Sequence, residues 1–198
     1  MVYRYDVIVI GCGAAGISAA VYLSRAKLKV LVLGKKNESQ MNEAGTIENY
    51  FGVEIVSDGK KILDIEYKKA KKYGSEFVDC NVNNVKKLKD NYEVCCEGQS
   101  YYSRYLIIAS GVVIPKILVK NLGLSMNGKV LFVDRDNKTN VEKVYACGNC
   151  CSMNKQLAHA VGDGCNAAID VIRKELKKDL YVDYSVLDDN LNNRRKGG

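Results

Sequence analysis

Histidine, long apolar runs and a secretory-type beginning are scarce or missing in this sequence. Its 198 residues include a single histidine, and a zinc site wants four ligands, so no metal site is predicted. The apolar stretch at residues 105–115 carries no charge and is too short to span a bilayer. Residues 3–6 read Tyr-Arg-Tyr-Asp instead of the apolar core of a signal peptide. We therefore expect a cytoplasmic protein that does not enter a membrane.

Basic residues outnumber acidic residues by 30 to 23, which gives a net charge of +7. They are scattered, and no basic stripe interleaved with aromatic residues is present, so nucleic-acid binding is not predicted. The excess of positive charge would instead help to hold an anionic ligand or an acidic partner. The 8 cysteines stand in a chain without secretory features, so free thiols are expected instead of a disulfide framework.

The order of the apolar segments predicts an α/β protein. A strand at residues 5–10, a helix at 14–25 and a strand at 29–33 form a βαβ unit, and a polar loop at 37–52 precedes an amphipathic helix at 59–73. A small antiparallel excursion is predicted from short strands at 75–82, 84–88, 92–96 and 101–104. A core strand is then predicted at 105–110, followed by strands at 129–133 and 143–147 and by a last helix at 156–176. The length suits one domain over residues 1–178, with a partly disordered tail at 179–198.

A glycine fingerprint joins the first strand to the first helix. Gly11, Gly13 and Gly16 form the pattern G-x-G-x-x-G, and this strand-to-helix context makes the pattern credible. The first glycine permits a tight turn, the second lets the backbone approach a pyrophosphate, and the third lets helix and strand pack closely. The helix N-terminus adds N–H groups and positive potential. A dinucleotide is therefore the expected ligand of a Rossmann-like domain.

The end of the second strand does not choose between dinucleotides. The acidic residue that commonly holds the adenosine ribose there is replaced by Gly34, followed by Lys35 and Lys36. Two lysines would suit a 2′-phosphate, so the fingerprint by itself leaves NADP open beside FAD.

The block from Gln40 to Gly52 resembles a stretch of the thioredoxin reductases. In that family a glutamine and an asparagine of this stretch lie against the flavin, and Gln40 and Asn49 match them. Ser39 replaces the family's glycine and Phe51 its proline. Neutral amides suit the edge of a flavin, since they satisfy both donors and acceptors without fixing a charge.

Further segments continue the resemblance to residue 178, which implies FAD instead of NADP. Residues 106–111 are similar to the family's Ala-Thr-Gly strand, and residues 144–149 to its second flavin motif, with Asn149 in place of an aspartate. The implied fold is a Rossmann-like FAD-binding three-layer α/β domain with a parallel central sheet and a small antiparallel β excursion. The implied cofactor-binding residues are Gly11, Cys12, Gly13, Ala14, Ala15, Gly16, Gly34, Lys35, Gln40, Asn49, Val82, Ala109, Ser110, Gly111, Gly148, Asn149, Gln156 and Leu157.

The resemblance also predicts that one domain of the family is missing from this sequence. The family's inserted NADPH domain, with its redox Cys-x-x-Cys, would stand between residues 112 and 121, and the sequence there passes directly to the closing flavin segment. The expected function is therefore an oxidoreductase that passes electrons between FAD and a redox protein partner or separate domain. The family's pairing implies a homodimer.

Two other functions stay open. Cys147 and Cys150 form a Cys-x-x-Cys near the predicted flavin, and as a dithiol they would make the chain a flavin-dependent dithiol oxidase. The simpler interpretation is that Cys147 takes the place of a core alanine at the strand end and that Cys150 is a loop thiol. His159, one turn into the last helix, could shuttle a proton or simply pack. A non-catalytic FAD-binding subunit is the third possibility.

Overall fold

The computed structural model describes residues 5–52 and 57–177. The predicted disordered tail at 179–198 lies outside the described residues. Within them, no helix is long and apolar enough to cross a membrane. The helices are α1 (Ala14–Arg25), α2 (Gly59–Lys72), α3 (Lys116–Leu122) and α4 (Leu157–Leu176). The strands are β1 (Tyr5–Ile10), β2 (Val30–Leu33), β3 (Thr46–Ile47), β4 (Ser57–Asp58), β5 (Glu76–Val78), β6 (Val82–Lys87), β7 (Tyr92–Cys96), β8 (Gln99–Ile108), β9 (Met126–Asn127), β10 (Val130–Leu131) and β11 (Val144–Ala146).

A parallel sheet in the order β5, β2, β1, β8, β11 forms the centre of the fold. Its inner strands are runs of Val, Ile and Leu with almost every side chain buried, as expected for strands covered on both faces. The register pairs Ile10 with Leu33 of β2 and with Ile108 of β8. All these strands therefore end at one edge of the sheet.

The antiparallel excursion is continuous with this sheet. The predicted strands at 101–104 and 105–110 are one strand, β8, so the predicted division between them is wrong. The first half of β8 pairs antiparallel with β7, and its second half pairs in parallel with β11 along the same edge. β1 runs along the opposite edge of β8 from Tyr5 to Ile10. The core and the excursion therefore meet within β8, where its partner changes from β7 to β11 and its backbone continues without a break.

Two apolar clusters cover the two faces and give three layers. On one face α1, α2 and α4 pack over alternate strand residues such as Val7, Val9 and Val32. On the other face the β6–β7 hairpin and α3 pack over Ile8 and Leu33. The three-layer Rossmann-like architecture predicted from the sequence is confirmed.

Helix α3 is the one α-helix of the described residues that was not predicted from the sequence. It has seven residues between Pro115 and Gly123, and only Leu118 and Leu122 are buried. Two apolar contacts are too few for a periodic pattern, although the flanking proline and glycine are common signs of a helix start and end. The predicted strands at 129–133 and 75–82 also shorten, to β10 and β5. The placement of the strand at 75–82 in the antiparallel excursion is wrong, because β5 pairs in parallel with β2 at the edge of the central sheet.

A buried polar network fastens α4 to β11. The Tyr145 hydroxyl donates a 2.7 Å hydrogen bond to Oδ2 of Asp170, and Nζ of Lys174 donates to the same hydroxyl at 2.8 Å. Lys138 adds an ion pair with Asp170 at 3.3 Å. Burial alone would raise the pKa of Asp170, but hydrogen bonds from Tyr145 and Lys174 outweigh it and hold the pKa below its usual value. The carboxylate therefore stays charged inside the fold.

Candidate functional site

A cavity of about 750 Å³ opens at the carboxyl ends of the parallel strands. Its walls include Ile10 at the end of β1, Leu33 at the end of β2, and Ala109 just after β8. In open parallel sheets this edge is where ligands bind. The volume falls within the range of about 300–1,000 Å³ that cofactor sites have.

The glycine fingerprint forms one wall of the cavity. Gly11 has φ +122°, and a Cβ there would lie 2.1 Å from the carbonyl oxygen of Ala109. A Cβ on Gly16 would lie 2.1 Å from the carbonyl oxygen of Gly11, so Gly16 packs the helix on the turn and does not line the cavity. At Gly13 a Cβ would meet only Oγ of Ser39, at 3.4 Å. The backbone at Gly13 is thus open to a ligand.

Helix α1 begins at this wall without a side-chain cap and without an acidic residue in its first turn. The first N–H groups of a helix lack partners within the helix, and its dipole places positive potential there. The wall is therefore suited to an anion such as a diphosphate.

An acidic residue does follow β2, although not at the position that the spacing of the fingerprint indicated. A short 3₁₀ turn, Lys36–Glu38, returns the chain to the cavity, and Glu38 lines it. Nζ of Lys35 donates a 2.9 Å hydrogen bond to Oε1 of Glu38, while Lys36 turns away to pair with Asp64 of α2. The two lysines therefore do not form a free cationic pair for a 2′-phosphate. Spacing from the fingerprint pointed to Gly34 and missed Glu38, because the turn displaces the acid along the sequence.

Two hydrogen-bonded pairs of amide side chains also line the cavity. Nδ2 of Asn149 donates to Oε1 of Gln40 at 3.0 Å, and Nδ2 of Asn49 donates to Oε1 of Gln156 at 2.9 Å. All four residues line the cavity. Each amide has hydrogen-bonding capacity beyond this one contact. These hydrogen bonds join the chain after β2 to the two ends of the segment between β11 and α4, one at Asn149 and the other at Gln156.

Helix α4 starts directly after one of these amides. Its N-cap residue, Gln156, forms no side-chain cap, and its first turn has no acidic residue. Oδ2 of Asp163 accepts a 3.0 Å hydrogen bond from the backbone N–H of Gly148, which holds the 3₁₀ turn Gly148–Cys150 against α4. Nδ1 of His159 lies 3.3 Å from the same oxygen. Asp163 thus positions the turn that carries Asn149.

A buried hydroxyl at the cavity wall indicates a polar ligand. Oγ of Ser110 is buried and finds no hydrogen-bond partner within the described ranges. Ser110 lines the cavity next to Gly111. Buried hydroxyls in folded proteins are normally hydrogen-bonded, so this atom fits a bound molecule with a polar group at that place.

The family model of the pyridine nucleotide-disulphide oxidoreductases matches the chain over residues 5–113 and 53–164. The chain belongs to this family. Within it, thioredoxin reductases are similar in both sequence and fold.

The family relatives cover the chain to different extents. Thioredoxin reductase from Bacillus subtilis is 37% identical over 123 residues, which are 60% of this chain and 39% of that protein. The chain thus spans about two fifths of that relative's length. The thioredoxin reductase structure from Gloeobacter violaceus has a TM-score of 0.84 at 16% identity, over 93% of this chain and 100% of that one. A ferredoxin-flavin thioredoxin reductase from Clostridium acetobutylicum has a TM-score of 0.79 at 21% identity, over 89% and 99%.

The cavity brings together the residues that the family resemblance implied, with Gly16 as the exception. These are Gly11, Cys12, Gly13, Ala14, Ala15, Gly34, Lys35, Gln40, Asn49, Val82, Ala109, Ser110, Gly111, Gly148, Asn149, Gln156 and Leu157. Further lining residues that the sequence analysis did not single out include Glu38, Met41, Ile47 and Asn81.

The two cysteines of the Cys-x-x-Cys lie in different cores. Cys147 packs in the cluster under α1 and α4, whereas Cys150 packs in the cluster on the other face of the sheet. Sγ of Cys150 lies 3.3 Å from the carbonyl oxygens of both Ile108 and Cys147, which share its single S–H as acceptors. Burial raises the pKa of the Cys147 thiol well above its usual range. This geometry gives no support to a reactive dithiol, and Cys150 does not line the cavity.

Proposed function

We propose that the chain binds FAD in this cavity and passes electrons between FAD and a redox protein partner. The observation that carries the proposal is a single cavity that joins the glycine fingerprint at α1 to the four amides at the start of α4. The diphosphate of a dinucleotide needs the free N–H groups of the fingerprint wall, and a neutral ring with mixed donors and acceptors needs the amides.

Different residues of the cavity would contact different parts of FAD. Gly11, Gly13 and the first turn of α1 would hold the diphosphate, and Glu38 would serve the adenosine ribose. Gln40 and Asn49 would contact the flavin ring, and Ser110 would find there the partner that its hydroxyl lacks among the described residues. When bound, FAD takes up two electrons and two protons and gives them back. The positive end of α4 would favour the negative charge that gathers on reduction.

A separate partner is proposed because of what lies between β8 and β11. In that segment the structure has α3 and the β9–β10 hairpin, and within the described residues no second βαβ unit. The name of the Clostridium acetobutylicum structure, a ferredoxin-flavin thioredoxin reductase, supports a one-electron carrier protein as the partner. Two reduced carriers would each give one electron, and two protons from water would complete the reduction of FAD. A homodimer and a cytoplasmic location are part of the same proposal.

Anaerobic spectroscopy of the purified protein tests this function. We expect a flavin absorption band, before or after FAD is added, that NADPH and NADH fail to bleach. A chemically reduced small ferredoxin, freed of excess reductant, should bleach it, and dithionite serves as the positive control. No bound flavin after FAD addition would contradict the cofactor, and bleaching by NADPH alone would contradict the need for a partner.

A further inference from the structure

We infer that a basic groove beside the cavity is the docking surface for the acidic face of a small electron-carrier protein. The groove, here the lysine groove, has a volume of about 390 Å³. Its walls are Val112, Ile114, Lys116, Val119, Lys120, Met126 and Lys129. This inference rests on the proposed function, since it names the place and the charge of the proposed partner.

The lysine groove adjoins the candidate cofactor site. Val112 lines both the groove and the cavity, and Val113 and Pro115 line the cavity from the same segment. The groove lies on the face of the sheet that carries α3, away from the α1, α2 and α4 layer. A protein seated there would stand next to the cavity without crossing the body of the domain.

The charge of the groove is unbalanced. Residues 111–133 contain three lysines and no aspartate or glutamate. Lys116, Lys120 and Lys129 are exposed, and the described residues supply no ion-pair partner to any of them. Lys116 and Lys120 stand four residues apart on α3 and so share one side of the helix. Three unpaired cations at one groove attract an acidic surface and raise the rate of encounter with it.

Exposed apolar side chains gather at the same place. Eight large hydrophobic residues are exposed within the described residues, and Val112, Val113, Met126 and Phe132 belong to the 111–133 segment. Val113 is 73% exposed. An apolar centre with a charged rim is how transient protein interfaces are built. A second copy of this chain fits less well, because it would bring the same three lysines to the contact.

Charge reversal on α3 tests the inference. The variant Lys116→Glu/Lys120→Glu should bind an oxidised small acidic ferredoxin at least tenfold more weakly than wild type, measured by calorimetry at low ionic strength. Reduction of the FAD-loaded protein by reduced ferredoxin should slow by a similar factor, and added salt should shrink both differences. Reduction by dithionite should stay unchanged. Met126→Asp, at an exposed position that lines the groove and not the cavity, should weaken binding without affecting folding.

Lys68→Glu/Lys72→Glu is the matched control, since these two lysines are also exposed and four residues apart, on α2 at the far face of the sheet. It should bind ferredoxin within twofold of wild type. If ferredoxin reduces wild type and the α3 variant equally well, the lysine groove is overturned and the proposed function stands. If ferredoxin does not reduce wild type while dithionite does, the proposed function fails and the inference falls with it. If the α3 variant instead alters only self-association or reduction by NADPH, the groove serves another occupant and the inference is overturned.

Discussion

Asn149 donates a 3.0 Å hydrogen bond from Nδ2 to Oε1 of Gln40, across 109 residues of sequence. This contact depends on an amide at position 149, because a carboxylate cannot donate to Gln40 Oε1. In Asn149→Asp the Gln40 amide would rotate so that its NH₂ group donates to the new carboxylate. The substitution would also place a negative charge beside the proposed flavin site. Added negative charge opposes the uptake of electrons, so we expect the flavin midpoint potential to fall by about 30 mV, which corresponds to roughly 1.4 kcal/mol for two electrons.

Asn149→Ala is the control for this prediction, since it removes the hydrogen bond without adding charge. Spectroelectrochemical titration of the FAD-loaded variants measures both potentials. A potential that rises in Asn149→Asp, or that falls equally in both variants, would rule out the charge as the cause.

The fingerprint offers a pair of alanine substitutions with opposite structural consequences. Gly11→Ala would put a Cβ 2.1 Å from Ala109 O at φ +122°, so the turn must deform. We expect a loss of about 1–3 kcal/mol in the free energy of unfolding, and loss of FAD. Gly13→Ala meets only Ser39 Oγ at 3.4 Å, and should unfold like wild type while retaining less FAD, because the methyl group occupies the approach to the backbone.

Urea denaturation of the apo-proteins and flavin absorbance after gel filtration measure the two effects separately. Gly13→Ala with wild-type FAD retention would show that no ligand approaches this backbone.

The network at Asp170 predicts a stability effect remote from the site. Asp170→Asn removes the charge that Lys138 and Lys174 share and weakens the contact with Tyr145. Because both lysines are partly exposed, we expect about 2 kcal/mol of destabilisation, less than for a fully buried pair. Asp136→Asn, which removes an exposed partner of Lys138, should cost less than about 1 kcal/mol. Urea denaturation at pH 7 measures both, and equal losses would contradict the role of burial.

The depressed pKa of Asp170 also fixes the sign of a pH effect. A carboxyl group whose folded pKa lies below its unfolded value contributes stability above the unfolded pKa, about 3.9, and loses it as the pH falls through the folded pKa. The difference in unfolding free energy between wild type and Asp170→Asn should therefore be constant from pH 7 to about 5 and shrink below about pH 4. A difference that grows on acidification would mean that the pKa of Asp170 is raised, not lowered.

The sequence pattern predicted correctly those elements whose conformation depends on residues close together in the sequence. The turn at Gly11 and the buried strand before it depend on adjacent residues, and both were found. Glu38 was missed because a three-residue turn decides where it points, and α3 was missed because Leu118 and Leu122 are its only buried contacts.

The pairing of β8 could not be read from sequence either. Its two halves share one backbone but take different partners, and a strand does not encode which neighbour it will meet. The same limit applies to spacing motifs, since a separation of two residues between Cys147 and Cys150 does not say on which side of the sheet each will lie.

The positions of Cys147 and Cys150 lead to the last prediction. Cys150→Ser keeps a donor for the carbonyl oxygen of Ile108 and removes the thiol from the core opposite Cys147. If electrons enter and leave through a partner, FAD content and the rate of reduction by ferredoxin should stay within about twofold of wild type. Anaerobic addition of dithiothreitol should leave the flavin band of both proteins unbleached, because burial holds Cys147 as the neutral thiol. If dithiothreitol bleaches wild type and Cys150→Ser abolishes this, the two cysteines do act as a pair, and the sheet must open to let them meet.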